Sequence, residues 1–329
     1  MRKSNLATWR RRTMIGAAGA VLVLAASACS ASGEPGSPTG ITVVATTTIW
    51  ADVASAIVGE HGTVVSLTSA GTDPHSFSPS PSQVAAMVGA DLVIANGLGL
   101  EASFVDILHS AEEDGAEILY VGEFAEPQAF EGSDQPCEVV AHDHAAEGGH
   151  DDAGTCDPHV WMDPDRVALG AEAIADALSD IDSSVDWGRS KDAYLSNLDD
   201  LGVSMSVLLD AVPAERRVLV TNHDSLGYFA DRFGFSVAAT VIPGGSTLAN
   251  PSSADLADLV GTMRGEGIDV IFADTTDSIA LAEAVAAELG SAVKVVELYT
   301  GSIGGPGSGA ETLIAMLQTD AQLIADALR

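Results

Sequence analysis

Two histidines in this chain follow the same pair of residues, in Asp73-Pro74-His75 and Asp157-Pro158-His159. Proline fixes its own φ and restricts the residue before it, so each imidazole arrives on a stiffened stretch of chain. Imidazole nitrogens bind first-row divalent metals, and a neighbouring carboxylate can orient the ring that binds. A third histidine, His223 in "TNHDSLGYF", stands where an apolar run hands over to a helical pattern. Asp274 ends the apolar run "DVIFAD". A solitary loop histidine is usually just solvated. Two in one repeated stiff tripeptide, with a third at the end of an element, point to a shared metal site.

A second group of histidines is of a different kind. "HDHAAEGGHDD", residues 142–152, sets His142, His144 and His150 among acids, glycine and alanine. Nothing apolar in it can be buried, so it reads as a loop that does not fold by itself. Mobile imidazoles and carboxylates bind metal weakly; a solvated acidic linker is the plainer reading. His61, in "GEHGT", reads as a turn residue and His109 as one on a helix surface.

These residues need elements to position them. Short apolar runs alternate with helical patterns from residue 41: "ITVVATT", "TVVSLTS", "DLVIAN" and "EILYVG" read as strands with helices between them. Strands separated by helices imply right-handed crossovers and a mainly parallel sheet. The pattern breaks at 123–163, then gives "DRVALGAEAIADALSDI" and a helical stretch of about 26 residues that carries Tyr194, Leu198, Leu201, Met205 and Leu208 at helical spacing before Pro213. A helix of that length spans about 40 Å. Alternation restarts with "RVLVTN", "FSVAAT", "DVIFAD" and "AVKVVEL".

The expected fold is therefore α/β, with two lobes, each a mainly parallel sheet flanked by helices, joined by one long helix. The N-terminal lobe covers 41–185 with a histidine-rich loop at 137–156, the linking helix 186–212, and the C-terminal lobe 213–329. Open parallel sheets bind ligands in the crevice beyond the carboxyl ends of their strands. His75, His223 and Asp274 follow strands, and His159 lies between the insertion and the next helix. That rule picks these four residues as candidate ligands.

Residues 1–28 read as a targeting segment: a basic start, "MRKSNLATWRRR", and an apolar stretch too short to span a membrane. "LAASAC" resembles a bacterial lipobox with Ala26 where Leu is commoner, which nominates Cys29 for lipidation and an anchor on the extracytoplasmic side of the membrane. The alternative is an ordinary signal peptide with an incidental cysteine, and "RRR" leaves the export route open between Sec and twin-arginine. Residues 29–40 read as a flexible tether. Losing 1–28 removes five basic residues and no acid, so the formal charge moves from −33 to −38. Such a surface suits cations and argues against a nucleic-acid partner. With Cys29 lipidated, Cys137 and Cys156 remain and bracket the histidine-rich stretch. In an oxidising compartment they are expected to pair; two free thiols, or metal ligation by Cys156, are the alternatives.

The stretches "DPHSFSPSP", "DPHVWMDP", "NHDSLGYFADRFGF" and "LYTGSIGGPGSGAETLIAML" together resemble the extracytoplasmic solute-binding proteins of zinc and manganese ABC transporters, over nearly everything from residue 41 onward. The resemblance implies two lobes on a rigid long helix, metal between them, a permease as partner, no catalysis and a monomer. It carries His75, His159 and His223 over as ligands. It fails at the fourth: many members have an aspartate where this chain has Gly301 in "LYTGS". Asp274 is nominated instead, with water or another residue as competitors. Relatives that handle zinc often have a histidine-rich loop, which implies capture or sensing by His142, His144 and His150.

Three imidazoles and at most one carboxylate suit tetrahedral Zn2+, whereas Mn2+ prefers more oxygen ligands. Copper and nickel also bind imidazole strongly. Two rivals stand beside metal import. A zinc hydrolase would use three histidines with an open fourth position to acidify water, but the chain has no His-Glu-x-x-His. A surface adhesin would use the metal only to stabilise its fold.

Overall fold

The computed structural model describes residues 40–130, 133, 135–139, 156–290 and 292–329. The leader, Cys29, the tether up to residue 39, and His142, His144 and His150 lie outside the described residues.

The first half builds β1 (Ile41–Ala45), α1 (Thr48–Val58), β2 (Gly62–Ser66), α2 (Pro81–Val88), β3 (Leu92–Ala95), α3 (Val105–Glu113) and β4 (Ile118–Tyr120). Two helices follow, α4 (Pro164–Ile181) and α5 (Trp187–Leu209). The second half repeats the alternation with β5 (Val218–Thr221), α6 (Gly227–Phe233), β6 (Ser236–Thr240), α7 (Ser253–Glu266), β7 (Val270–Asp274), α8 (Ala280–Leu289), β8 (Lys294–Leu298) and α9 (Leu313–Leu328). Two four-stranded sheets result, ordered β2-β1-β3-β4 and β6-β5-β7-β8, with every pairing parallel. The expected α/β fold is the one observed. Central strands such as β3 and β7 are buried along their whole length, as sheets covered on both faces require.

Local sequence sets the helix ends. Thr47 and Thr312 accept from the backbone amides of Trp50 and Ala315, and Ser252 with Asp255 forms a reciprocal capping box at α7. Gly234 and Gly267 end α6 and α7 in the left-handed conformation that glycine adopts without strain.

The long helix α5 has 23 residues and so reaches about 35 Å. It ends at Leu209, and its buried stripe runs through Leu201 and Met205 to Leu209, leaving Leu208 only partly covered. The expected stripe ended one residue early, because the helical period carries the face from Met205 to Leu209. Around α5 pack α4, α1 and α9, and one continuous hydrophobic core runs from Trp50 and Leu178 through Leu198 to Phe272 and Leu317. It therefore belongs to both sheets. Smaller clusters around Met87 and Met263 fill the outer faces. Among the described residues no helix is long and apolar enough to cross a membrane.

Cys137 and Cys156 are paired in a disulfide, the pairing expected from the sequence. Cys156 also bridges backbone to Ala129, so the base of the insertion is tied directly ahead of His159.

Gly170 on α4 lies tight against the core. A Cβ there would lie 2.7 Å from the ring of Trp50 and 3.1 Å from Val121. Trp50 cannot yield freely, since its Nε1 donates to Asn96 Oδ1 at 2.8 Å. Gly170→Val should lower stability by about 1–3 kcal/mol through overpacking, read as a lower denaturant midpoint with unchanged slope. A wild-type midpoint would mean that α4 can move off Trp50 at no cost.

Candidate metal centre

Each sheet reverses its strand order once, between β1 and β3 and between β5 and β7. The crevices beyond the carboxyl ends at those reversals are where open parallel sheets bind ligands. There the structure gathers His75, His159 and His223, each contributing one ring nitrogen within 4.8 Å of the other two. His159 Nε2 is 3.2 Å from His75 Nε2 and 3.2 Å from His223 Nε2. Among the described residues this is the one group of three or more such side chains arranged to hold an ion. All three are buried, at 5%, 1% and 2% exposure.

The repeated tripeptide has a structural cause. In both copies the aspartate Oδ1 accepts from the backbone amide of the histidine two residues on, at 2.9 Å in each. Proline closes that small turn and fixes where the ring starts. Asp157 does more: its Oδ1 also accepts from His159 Nδ1 at 2.8 Å. A carboxylate only accepts, so Nδ1 carries the proton and Nε2 keeps its lone pair toward the other rings. Pro158 is held in turn, since Asn96 Nδ2 donates to its carbonyl at 3.0 Å. His223 follows β5, where Thr221 Oγ1 donates to its carbonyl at 2.7 Å. Its buried Nδ1 has no partner among the described residues.

Burial away from water holds two of these rings, His75 and His223, neutral. It lowers His75 to about 3, helped by the charge His159 would carry, and puts His223 well below the usual histidine range. Neutral imidazoles with converging lone pairs are what a divalent cation needs.

Asp274 ends β7 and is fully buried, but it is not in the three-histidine group. Its Oδ1 accepts from the amide and hydroxyl of Thr276, both at 2.8 Å, and its Oδ2 from Thr300 Oγ1 at 2.5 Å. Burial raises its pKa and these hydrogen bonds oppose the rise. At Gly301 a Cβ would sit 3.3 Å from Pro74 and 3.4 Å from Asp274 Oδ2, so this position lies beside the turn that carries His75. His61 is exposed on a turn, edge-on to Trp187 at 5.6 Å, and His109 lies half-buried on α3. Neither joins the group.

Several supporting residues escaped the sequence reading. Trp161 packs edge-on against His159 at 5.3 Å and donates from Nε1 to Thr300 O at 2.8 Å. Tyr228 OH donates to Asp157 O at 2.7 Å. Trp161 lies in the quoted "DPHVWMDP", but its partner is 139 residues away, and only folding shows that pairing.

Protonating the buried histidines should cost the metal-free protein stability in acid. The lowered histidines bind protons more readily unfolded than folded, so their contribution is present above pH 6.5 and drains as pH falls toward about 3. Asp320, raised by burial to about 8, has the opposite sign: its contribution is full at low pH and is lost as pH climbs through about 8. The other carboxylates raised by burial, Asp52, Glu101, Asp163 and Asp274, act in the same sense as Asp320, so the readout is the difference between variant and wild type: with chelator present, any loss of denaturant midpoint between pH 6.5 and about 3 should be smaller in His75→Leu. An equally steep drop in the variant would show that His75 is not the group titrating.

The chain is similar to known proteins over most of its length. The chain is 26% identical over 302 residues to the manganese-binding lipoprotein MntA of Halalkalibacterium halodurans, covering 91% of this chain and 92% of that protein. It is 27% identical over 285 residues to the iron-binding protein YfeA of Yersinia pestis, 86% and 85% covered. The solved periplasmic zinc-binding protein TroA from Treponema pallidum superimposes with a TM-score of 0.74 at 26% identity, over 88% of this chain and 99% of that one. The family model for ZnuA, the periplasmic zinc-uptake complex component A, matches residues 43–327. The chain belongs to that family, as a metal-binding, substrate-binding component of ABC import and not an enzyme.

Proposed function

We propose that the protein captures extracytoplasmic zinc through His75, His159 and His223 and delivers it to the permease of an ABC importer. The observation that carries this reading is the donor set: three buried imidazoles whose Nε2 atoms converge, with no carboxylate in the group. Tetrahedral zinc with Zn–N of 2.0–2.1 Å sets its nitrogens about 3.3 Å apart. The observed separations of 3.2 Å fit that edge. Manganese would call for more oxygen donors. Asp274 lies outside the converging group and its two oxygens accept from Thr276 and Thr300, which favours water as the fourth donor.

The rest of the proposal rests on the sequence. Residues 1–28 are the leader, Cys29 the lipid anchor and 29–40 the tether; the lobes are 41–185 and 213–329 with 186–212 between them; the working form is a monomer. His142, His144 and His150 are weak capture sites that feed the cleft. A three-histidine site with an open position is also how hydrolytic zinc is held, but nothing in this centre marks a second substrate.

Alanine at His75, His159 or His223 should each weaken zinc binding by more than about 100-fold, since loss even of an outer-shell partner costs about 10–100-fold. A competition titration with a chromogenic chelator measures this, and wild-type affinity in all three variants would sink the assignment. The same titration run with Mn2+ should give much weaker binding; manganese held as tightly as zinc would reverse the choice of cargo.

Deleting 141–152 should leave the tight site unchanged while reducing total zinc bound at excess metal and slowing uptake from a carrier. Ordering an acidic, glycine-containing segment around an ion costs chain entropy, so those sites are weak. Stoichiometry and transfer rate compared between intact and deleted protein decide it. A lost tight site would make the loop a direct ligand, and no change in either quantity would make it a linker.

A further inference from the structure

The three histidines expose so little surface that an ion reaches them only if something moves. The lobes themselves are poorly suited to that, because one hydrophobic core is common to both sheets and parting them would expose it. Residues 241–250, between β6 and α7, offer another route. Most of this stretch from Pro243 to Asn250 is exposed or half-exposed and has no regular structure.

One end is fixed beside His223. Ile242 N donates to Asn222 O at 2.7 Å, and Asp224 N donates to Gly244 O at 3.0 Å. The chain then crosses to the other lobe. Thr247 Oγ1 donates to Asp73 Oδ2 at 2.7 Å, and the other oxygen of Asp73 is the one that holds the His75 amide. Gly245 backs onto Phe130 so closely that a Cβ would fall onto the ring. Phe130 stands two residues beyond Gln128, whose carbonyl accepts from the amide of Asp157, the partner of His159. One ten-residue stretch thus touches the supports of all three histidines. Among the described residues it is held to the far side by one hydrogen bond and one ring contact.

We propose that residues 243–248 gate the metal centre, and that Thr247 and Phe130 are the residues that hold the gate shut and so set how fast metal enters and leaves. This rests on the reading of the three histidines as the metal site. A gate differs from a support in a measurable way. Weakening a gate lowers the barrier from both sides, so association and release both quicken while the equilibrium stays put. Weakening a support of the ligands loosens the equilibrium itself.

The test is stopped-flow with zinc alone on the intact exported protein, followed through the buried tryptophans, Trp161 among them, and through chelator-driven release. Thr247→Val removes the hydroxyl donor at nearly constant volume, and both rates should rise about tenfold, the change expected on losing one hydrogen bond to a charged group. Phe130→Ala should act the same way through a different contact, so either variant carries the test if the other folds poorly. Val207→Ala, on α5 and 72% exposed, lies outside the gate and should keep wild-type rates. Wild-type rates in both Thr247→Val and Phe130→Ala would overturn the gate. So would faster release with unchanged association, because the affinity would then have dropped and the residues would be supports. Wild-type protein that binds no zinc would instead overturn the site reading on which the gate depends.

Discussion

Three imidazole nitrogens about a hydrogen bond apart, cut off from water, are the constraint on which this structure turns. Each ring comes from a different stretch: the loop after β2, the segment before α4 and the end of β5. Two nitrogens stand 3.2 Å from the third. Protonating any of them would put a charge where no solvent can screen it, so burial drives His75 and His223 toward the neutral form. Such an arrangement is poor in internal partners, as the orphaned His223 Nδ1 shows. A buried polar group without its partner costs free energy, and the fold must supply it elsewhere.

The supply is the shared core. In many two-lobed proteins each lobe closes its own interior and the two meet through a polar seam. Here α5 lies against α1, α4 and α9, and apolar burial continues from Trp50 in the first half to Leu317 in the last helix. Polar ties cross the same boundary: Asp52 Oδ2 accepts from the amide of Leu313 at 2.9 Å, and Thr48 Oγ1 meets Ser302 Oγ at 3.1 Å. Trp161 to Thr300 and Tyr228 to Asp157 bring such ties to the metal centre itself. The outer salt bridges, such as Arg232 with Asp165, are partly solvated and add little. Rigidity at the site therefore comes from packing and a few buried hydrogen bonds.

The same architecture narrows the chemistry. With Asp274 engaged by Thr276 and Thr300 and with no side chain at Gly301, the donors that converge are imidazoles. Relatives of similar fold carry names that tie them to manganese, iron and zinc, so the fold alone does not choose a cargo. The choice lies in which donor atoms reach the crevice.

Much of this was legible in the chain. Alternating apolar runs and helical patterns specify parallel sheets, because parallel neighbours need a crossover between them. The rule that ligands sit beyond strand ends picked out the three histidines before any contact was visible, together with Asp274, which lies outside their group, and the two Asp-Pro-His tripeptides marked stiff turns that the structure shows closed by their own aspartates. Those are local facts, fixed by residues two apart or by a period of two or 3.6. The sequence could not say that Asp274 faces two threonines, that Phe130 lies on Gly245, or that Thr247 holds Asp73 from 174 residues away. Nor could it divide the interior into one core or two. Pairings between residues far apart along the chain depend on how two sheets and one long helix pack in space, and no local pattern encodes that geometry.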